Sequence, residues 1–212
     1  MLCGMVGGVL AVGRVWAEDI PEKTRQWNRF ERCEWVAARG HDGDSFKVRM
    51  GGEERFLRLA FVDAPESDDR FPSRIAEQAR HFGISTNEVL LVGKRATLAT
   101  TKLLSRPFTV WTRWASAAGS TRLPRFYAFI ELADGRDLNE VLLNLGHVRV
   151  KGTAMNTPKG ERAKDYRARL LKLEVEARKK RVGIWARAVS GKGRGSVFQG
   201  SAERVPSGRP PR

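Results

Sequence analysis

Two short acidic motifs supply side chains whose types and spacing could do chemistry. Asp42 and Asp44 flank a glycine just before an apolar run, and Asp63 and Glu66 stand three residues apart around Pro65. Carboxylates grouped in this way can bind a hard cation or transfer a proton. Each motif alone is also typical of an ordinary turn, so neither motif establishes a site by itself.

Arg58 is the odd residue of an otherwise apolar strand. The segment 56–62 is apolar on both faces except at this arginine. A guanidinium in such a setting needs an anionic partner or ligand. Just downstream, Pro65 restricts Ala64 to an extended conformation, which allows the Ala64 carbonyl to project beside the Asp63 side chain.

The elements that must position these residues are strands first and helices around and after them. Alternating and apolar runs predict strands at 34–39, 45–50, 53–62, 107–114 and 125–132, with a hairpin turn at Gly51-Gly52. Helical patterns cover 75–82, 94–104 and 160–181, and Asp137 with Glu140 begins a short helix that Gly146 ends. This order predicts an α+β protein, and a small OB-like barrel fits the strand count.

Length and charge limit the classes of function. The 212 residues fit one medium-sized domain with tails, which excludes a second large catalytic domain. Lys and Arg number 39 against 24 Asp and Glu, and this net charge of +15 indicates a polyanionic partner. Of that surplus, +12 lies after residue 150, whereas the region 41–150 is nearly balanced. The segment 188–212 has almost nothing to bury and is predicted to be a disordered basic tail.

The amino terminus resembles an export signal. Residues 1–17 are mostly apolar, end at a small residue and precede an acidic stretch. This pattern predicts a signal peptide and a secreted or periplasmic protein, followed by a linker over 18–34. An amino-terminal helix is one alternative, and a misassigned start codon, which would make the protein cytoplasmic, is another. No later run approaches the apolar length of a membrane span.

Cysteine and tryptophan residues suggest no separate site. Cys3 and Cys33 are the only cysteines and have no second ligand at zinc spacing, so a zinc finger and a disulfide framework are excluded. Trp111 and Trp114 flank Arg113 as they would in a stacking platform for single-stranded nucleic acid. A strand that buries alternate residues explains the two tryptophans at least as well.

Together, the motifs resemble the staphylococcal nuclease (thermonuclease-like) family in order, spacing and strand context. The matching segments are Asp42-Gly43-Asp44-Ser45, the run RLAFVDAPE at 58–66, Arg125-Phe126-Tyr127-Ala128 before Asp134-Gly135, and Gly183-Ile184-Trp185. The resemblance covers about residues 35–186. It implies an OB-fold five-stranded β-barrel with about three flanking helices, in a domain assigned to residues 35–187.

The resemblance also implies a Ca2+ site. Asp44 and Asp63 correspond to the family's carboxylate ligands, and the Ala64 backbone carbonyl corresponds to a third ligand. The family often has Thr where Ala64 stands, but the backbone oxygen is unchanged by that difference. Asp42 matches an outer-sphere acidic position. A hard cation held by oxygen ligands suits this set of residues.

The remaining matched residues correspond to catalytic groups. Glu66 matches the residue that orients or deprotonates the attacking water, and Arg58 and Arg125 match the two guanidinium groups on the scissile phosphate. Planar guanidinium donors can grip phosphate oxygens as charge builds on them. His41 lies next to the acidic pair, but the family performs its proton transfer with the glutamate, so His41 is expected to be structural.

Two departures from the family pattern concern the substrate groove. Leu123, Gly152 and Ala154 stand where the best-known members have tyrosines that pack on the nucleotide. The stretch between Glu66 and Pro107 is also longer than in short members, with residues 87–94 lengthening it. This extension is expected to reshape one wall of the groove.

The resemblance therefore implies a hydrolase: a monomeric Ca2+-dependent endonuclease that acts on DNA and RNA with little sequence preference and leaves 3′-phosphate ends. The main alternative is an OB-fold domain that binds nucleic acid without cutting it. Carboxylates beside a polyanion weaken binding, so a pure binder has no need to keep them. A basic surface-adhesion protein is a third possibility, but it leaves the acidic cluster unexplained.

Overall fold

In the computed structural model, which describes residues 26–117 and 124–186, five strands close into a barrel. The barrel strands are β1 (Asn28–Trp35), β2 (Ser45–Met50), β3 (Glu53–Leu59), β5 (Phe108–Ser116) and β6 (Arg125–Glu131). Their order is β1-β2-β3-β6-β5, and β1 pairs with β5 to complete the circle. Only the pairing of β3 with β6 is parallel among these described strands. The α+β class and the five-stranded barrel are thus confirmed.

Four helices and a small ribbon surround the barrel. The ribbon consists of β4 (Val62–Asp63) and β7 (Arg149–Val150), and the helices are α1 (Pro72–Phe82), α2 (Thr86–Leu103), α3 (Leu138–Asn144) and α4 (Ala163–Lys179), followed by a 3-10 helix at Gly183–Ala186. The sequence predicts about three flanking helices, whereas the described residues contain four. None of the described helices is both long and apolar enough to cross a membrane.

The third predicted strand, 53–62, is interrupted at Phe61. This residue has φ of +66°, a left-handed conformation that is unfavourable for a side chain with a Cβ. The Phe61 amide donates to the Thr153 carbonyl and not to a barrel strand. As a result, the chain leaves β3 and pairs with β7 as β4, which carries Asp63 away from the barrel wall.

The first strand begins earlier than the sequence predicts. The segment 28–34, assigned to a linker, forms most of β1, and the strand predicted at 34–39 ends at Trp35. The register with β5 shifts between Phe30 and Cys33, where Arg32 has φ of +55°. This bulge breaks the alternation of apolar residues that would mark a strand. The predicted signal at 1–17, the linker residues 18–25 and the tail at 188–212 lie outside the described residues.

The core occupies the barrel interior and the space under α3 and α4. Alternate side chains of β2, β3, β5 and β6 point inward and are buried, among them Phe46, Val48, Leu57, Leu59, Val110, Phe126 and Ala128. Tyr166 and Leu170 of α4 and Leu142 of α3 extend this core outside the barrel. The predicted start of α3 is confirmed, because the Asp137 side chain accepts hydrogen bonds from the amides of Asn139 and Glu140.

Candidate active site

Asp44 immediately precedes β2, in a turn that the Asp42 side chain stabilises. One carboxylate oxygen of Asp42 accepts hydrogen bonds from the amides of Asp44, at 3.0 Å, and Ser45, at 2.6 Å. The Thr100 hydroxyl of α2 donates to the Gly43 carbonyl at 2.8 Å. Burial, followed by the nearby Asp44 carboxylate, raises the pKa of Asp42 well above its ordinary value. The Asp-Gly-Asp turn thus holds the buried Asp44 carboxylate next to the partly buried Asp42 carboxyl group.

Arg58 joins the two acidic motifs. Its Nη2 donates to Asp44 Oδ2 at 3.0 Å and to Asp63 Oδ1 at 3.2 Å. Asp44 Oδ2 also accepts the Ala64 amide at 3.0 Å. The charge of Asp44 is the main cause that raises the pKa of Arg58. The expectation that this buried arginine meets an anionic partner is confirmed.

Arg125 reaches the same place from β6. The parallel register of β3 and β6 puts residue 125 opposite Phe56. Its Nη1 lies 3.4 Å from the Ser45 hydroxyl, and Nη1 of Arg58 lies 3.5 Å from that same oxygen. Burial and the neighbouring Arg58 charge lower the pKa of Arg125. Two guanidinium groups therefore converge on one point, an arrangement that can bind a phosphate oxygen.

Glu66 is buried, with 8% of its surface exposed. Its Oε1 lies 2.8 Å from Nε of Arg74, a residue of α1. Burial raises the pKa of Glu66, and the Arg74 charge opposes that rise. A carboxylate whose charge is poorly solvated is a stronger proton acceptor than an exposed one, which suits a general base.

Gln78 of α1 is a fully buried residue that the sequence analysis missed. Its Nε2 donates to the Ala64 carbonyl at 2.9 Å and approaches Asp63 Oδ2 at 3.4 Å, while its Oε1 accepts the Glu66 amide at 2.8 Å. One side chain therefore holds three groups of the acidic turn, one each from Asp63, Ala64 and Glu66. The position of Gln78 on the apolar side of a predicted helix indicates that this polar side chain is buried. It does not indicate which groups the side-chain amide contacts.

Arg149 is the second residue that sequence reasoning missed. It stands opposite Asp63 in the β4–β7 pair, and its side chain is 3% exposed. Its Nε and Nη2 bind Asp63 Oδ2. Its Nη1 and Nη2 bind the two carboxylate oxygens of Glu77, Oε1 at 2.9 Å and Oε2 at 2.6 Å. The signal was the same as for Arg58, because Arg149 is a lone charge between Val148 and Val150.

Helix α2 packs directly behind the acidic turn. A Cβ added at Gly93 would lie 2.7 Å from the Pro65 carbonyl oxygen and 2.5 Å from the Glu66 carbonyl carbon. Such distances are far inside van der Waals contact, so this position requires glycine. The lengthened stretch 87–94, which the sequence analysis assigned to a groove wall, therefore forms the support for the backbone around Glu66.

The donor chemistry of the site fits a hard divalent cation. The described ranges contain no group of three or more His, Cys, Asp or Glu side chains arranged to hold a metal ion. Asp44, Asp63 and the Ala64 carbonyl nevertheless present oxygen donors of the kind that Ca2+ prefers. Both carboxylates also bind one charged nitrogen of Arg58, so the site already stabilises positive charge between them. Water and phosphate oxygens could complete the usual six to eight ligands.

His41 has a structural role in this fold. Its Nε2 accepts the Lys47 amide at 3.3 Å, and its ring packs edge-on against Trp35 and Phe56. Burial lowers its pKa. These contacts agree with the sequence expectation that His41 is not the base.

Trp111 and Trp114 pack against residues other than those of this cluster. Trp114 packs edge-on against Phe30 and Phe126, and Trp111 lies under the Arg29 guanidinium. Trp111 also lines a cavity of about 510 Å³, which none of the candidate site residues lines. Of the positions where the family has tyrosines, Gly152 and Ala154 are exposed, and Leu123 lies outside the described residues.

Comparison with known protein families identifies a match for most of the described domain. Residues 56–187 match the model of the staphylococcal nuclease homologue family, which is more than half of the chain. The matched stretch includes Arg58, Asp63, Glu66 and Arg125, whereas Asp44 precedes it. No curated protein matches the chain.

Proposed function

Because this chain belongs to the staphylococcal nuclease homologue family, we propose that it is a Ca2+-dependent nuclease. It hydrolyses phosphodiester bonds in DNA and RNA with low sequence specificity and leaves 3′-phosphate ends. The observation that carries this proposal is the position of Arg58, which binds Asp44 and Asp63 through one nitrogen and converges with Arg125 through another. Carboxylates and anion-binding groups thus share one site.

The two arginines bind the substrate phosphate. Nη1 of Arg58 and Nη1 of Arg125 both lie within 3.5 Å of the Ser45 hydroxyl, so the two guanidinium groups are close enough to donate to the same phosphate group. Charge on that oxygen grows during attack at phosphorus, so these hydrogen bonds strengthen towards the transition state. Since both guanidinium groups are held on adjacent barrel strands, little reorganisation is needed at the moment of reaction.

Asp44, Asp63 and the Ala64 carbonyl supply the ligands of the metal ion, and Asp42 supports them from one shell further out. When bound, Ca2+ offsets the charge of the phosphate and makes its phosphorus easier to attack. Asp42 keeps Asp44 in place through the Asp44 and Ser45 amides. The Gln78 amide keeps the Ala64 carbonyl in place.

Glu66 accepts the proton of the attacking water. Its burial favours proton uptake, and its backbone is held by Gln78 and by the close approach of α2 at Gly93. A base must be positioned before its pKa can matter, and these contacts provide that position.

A cleavage assay with single-stranded DNA tests the proposal. Purified full-length protein should degrade the DNA when Ca2+ is added, and a chelator should abolish the activity. The same assay with RNA tests the substrate range, and phosphate analysis of the products tests the 3′-phosphate ends. If the protein binds the DNA but no divalent metal supports cleavage, the non-catalytic binding domain replaces the nuclease.

A further inference from the structure

Three guanidinium groups surround the carboxylate of Asp63. Oδ1 accepts from Arg58 at 3.2 Å and from Nη2 of Arg74 at 2.8 Å, and Oδ2 accepts from Arg149 at 3.0 and 2.9 Å. Each arginine also pairs with a second carboxylate, that of Asp44, Glu66 or Glu77. Both oxygens of Asp63 therefore already have cationic partners, with which any further cation that takes Asp63 as a ligand must compete.

Two of the three arginines are fixed by the fold. Arg149 is 3% exposed, is clamped by Glu77 and lies over the Phe82 ring. Arg58 is 14% exposed and binds Asp44 as well. If either side chain left Asp63, a buried ion pair would be broken, which is strongly destabilising.

Arg74 is different, because its side chain is 44% exposed and extends from the first turns of α1. Its Nη2 binds Asp63 Oδ1, and its Nε binds Glu66 Oε1 at 2.8 Å. The guanidinium thus bridges a metal ligand and the base. Water can solvate this side chain once it turns away, so it is the arginine that can leave at small cost.

We propose that Arg74 competes with the divalent cation for Asp63 Oδ1 and thereby sets the metal affinity of the site. This inference rests on the proposed function, since it takes Asp63 as a metal ligand. A cation bound at this oxygen would be a close neighbour of the Arg74 guanidinium, which itself lies 2.8 Å from the oxygen, and like charges this near repel strongly at the edge of a protein. Metal binding and the Arg74 bridge therefore exclude each other.

The alternative is that Arg74 simply ties α1 to the acidic turn. The two roles predict opposite changes in metal affinity. If Arg74 competes, its removal leaves Asp63 Oδ1 with only the longer Arg58 contact and removes a like charge, so Ca2+ binds more tightly. If Arg74 only holds the turn in shape, its removal loosens the ligands, so Ca2+ binds more weakly.

Calorimetric titration of the full-length protein with Ca2+ distinguishes them. Arg74→Gln should bind Ca2+ about tenfold more tightly than the parent protein, a shift reduced from the full Coulomb effect because the side chain is half exposed. Arg74→Lys keeps the charge and should stay near the parent value. Arg80→Gln is the matched control, since it removes an exposed arginine from the same helix and should change little.

Thermal unfolding supplies a second readout that needs no catalysis. At one fixed Ca2+ concentration, the rise in Tm caused by the ion should be larger in Arg74→Gln than in the parent protein, because tighter binding stabilises the folded state more. Unchanged or weaker Ca2+ binding in Arg74→Gln overturns the inference, as does a failure of both proteins to bind Ca2+. If the affinity rises as expected but no DNA is cut, the inference stands and the nuclease proposal fails.

Discussion

Arg149 and Asp63 face each other across the two-residue ribbon of β4 and β7, and Nε and Nη2 of the arginine lie 3.0 and 2.9 Å from the same carboxylate oxygen. Both side chains are almost completely buried. The carboxylate proposed to bind the metal is therefore also half of a buried ion pair. Changes at Arg149 should affect the stability of the fold and the geometry of the site together.

Replacement of Arg149 tests the structural part of this link. Arg149→Met removes one of the three arginines that bind Asp63 and the arginine that binds both oxygens of Glu77, and breaking a buried pair in this way should cost about 3 kcal/mol in the free energy of unfolding. Urea denaturation measures this cost. The control is Arg136→Ala, whose exposed pair with Asp134 should be worth less than about 1 kcal/mol. Equal losses in the two variants would show that the Arg149 pair is not special.

The ion pair between Glu77 and Arg149 should make the free energy of unfolding depend on pH in the acid range. The hydrogen bond from Arg149 lowers the pKa of Glu77 from 4.5 to about 2. A depressed carboxyl pKa means that the stabilisation is present above the unfolded pKa and is lost as the pH falls from 4.5 towards 2. The side chain is 41% exposed, so screening keeps the effect modest.

The Glu77→Gln variant isolates that contribution. Between pH of about 5 and about 3, the free energy of unfolding should fall less in this variant than in the parent protein, because the titrating group is gone. Denaturant titrations at the two pH values measure the difference. Parallel losses in both proteins would assign the acid sensitivity to other groups.

Local patterns in the sequence predict much of the barrel. Strand β2 follows its alternating residues, the Gly51-Gly52 turn joins it to β3, and Asp137 caps α3. The same patterns indicate that Arg58 needs an acidic partner, which the structure supplies from Asp44 and Asp63. These features depend on residues close in sequence or on one unusual side chain in an apolar strand.

Features set by long-range packing are not visible in the same way. The bulge at Arg32 interrupts the alternating pattern that would predict the first half of β1. The left-handed Phe61 follows the end of β3 at Leu59, so the strand ends before the apolar run does. Gln78 and Arg149 reach the site from α1 and β7, so their roles depend on which elements the fold brings together. No pattern within α1 or β7 indicates that either element packs against the acidic turn.

Replacement of Gly93 by alanine should destabilise the protein, although the same change usually stabilises a helix. Replacing glycine by alanine inside a helix normally gains about 1 kcal/mol. Here the added Cβ meets the Pro65 and Glu66 backbone, so Gly93→Ala should instead lose about 2 kcal/mol through overpacking. Cleavage should slow as well, because the backbone that carries Glu66 must shift. A stabilised Gly93→Ala protein would contradict the close approach of α2.

Two variants of Asp137 distinguish the contribution of helix capping to stability from that of the charge on this side chain. Its Oδ1 accepts the Asn139 amide at 2.8 Å and its Oδ2 accepts the Tyr166 hydroxyl at 2.9 Å, while burial raises its pKa. Asp137→Ala should lose about 1 to 2 kcal/mol because the hydrogen bonds from the Asn139 and Glu140 amides and from the Tyr166 hydroxyl disappear. Asp137→Asn keeps an equivalent cap and removes the buried charge, so its stability should equal or exceed that of the parent protein. Equal losses in the two variants, measured by urea denaturation, would contradict this account.

In the proposed mechanism, Glu66 is the base of a metal-dependent nuclease. Its most direct test is the rate at which Glu66→Gln cuts single-stranded DNA at saturating Ca2+, compared with the parent protein and with the exposed control Glu53→Gln. We predict that Glu66→Gln loses roughly 10²–10⁴-fold in rate while its affinity for the DNA stays nearly unchanged, and that the control keeps full activity. A Glu66→Gln protein that cuts as fast as the parent would contradict the assignment of the base.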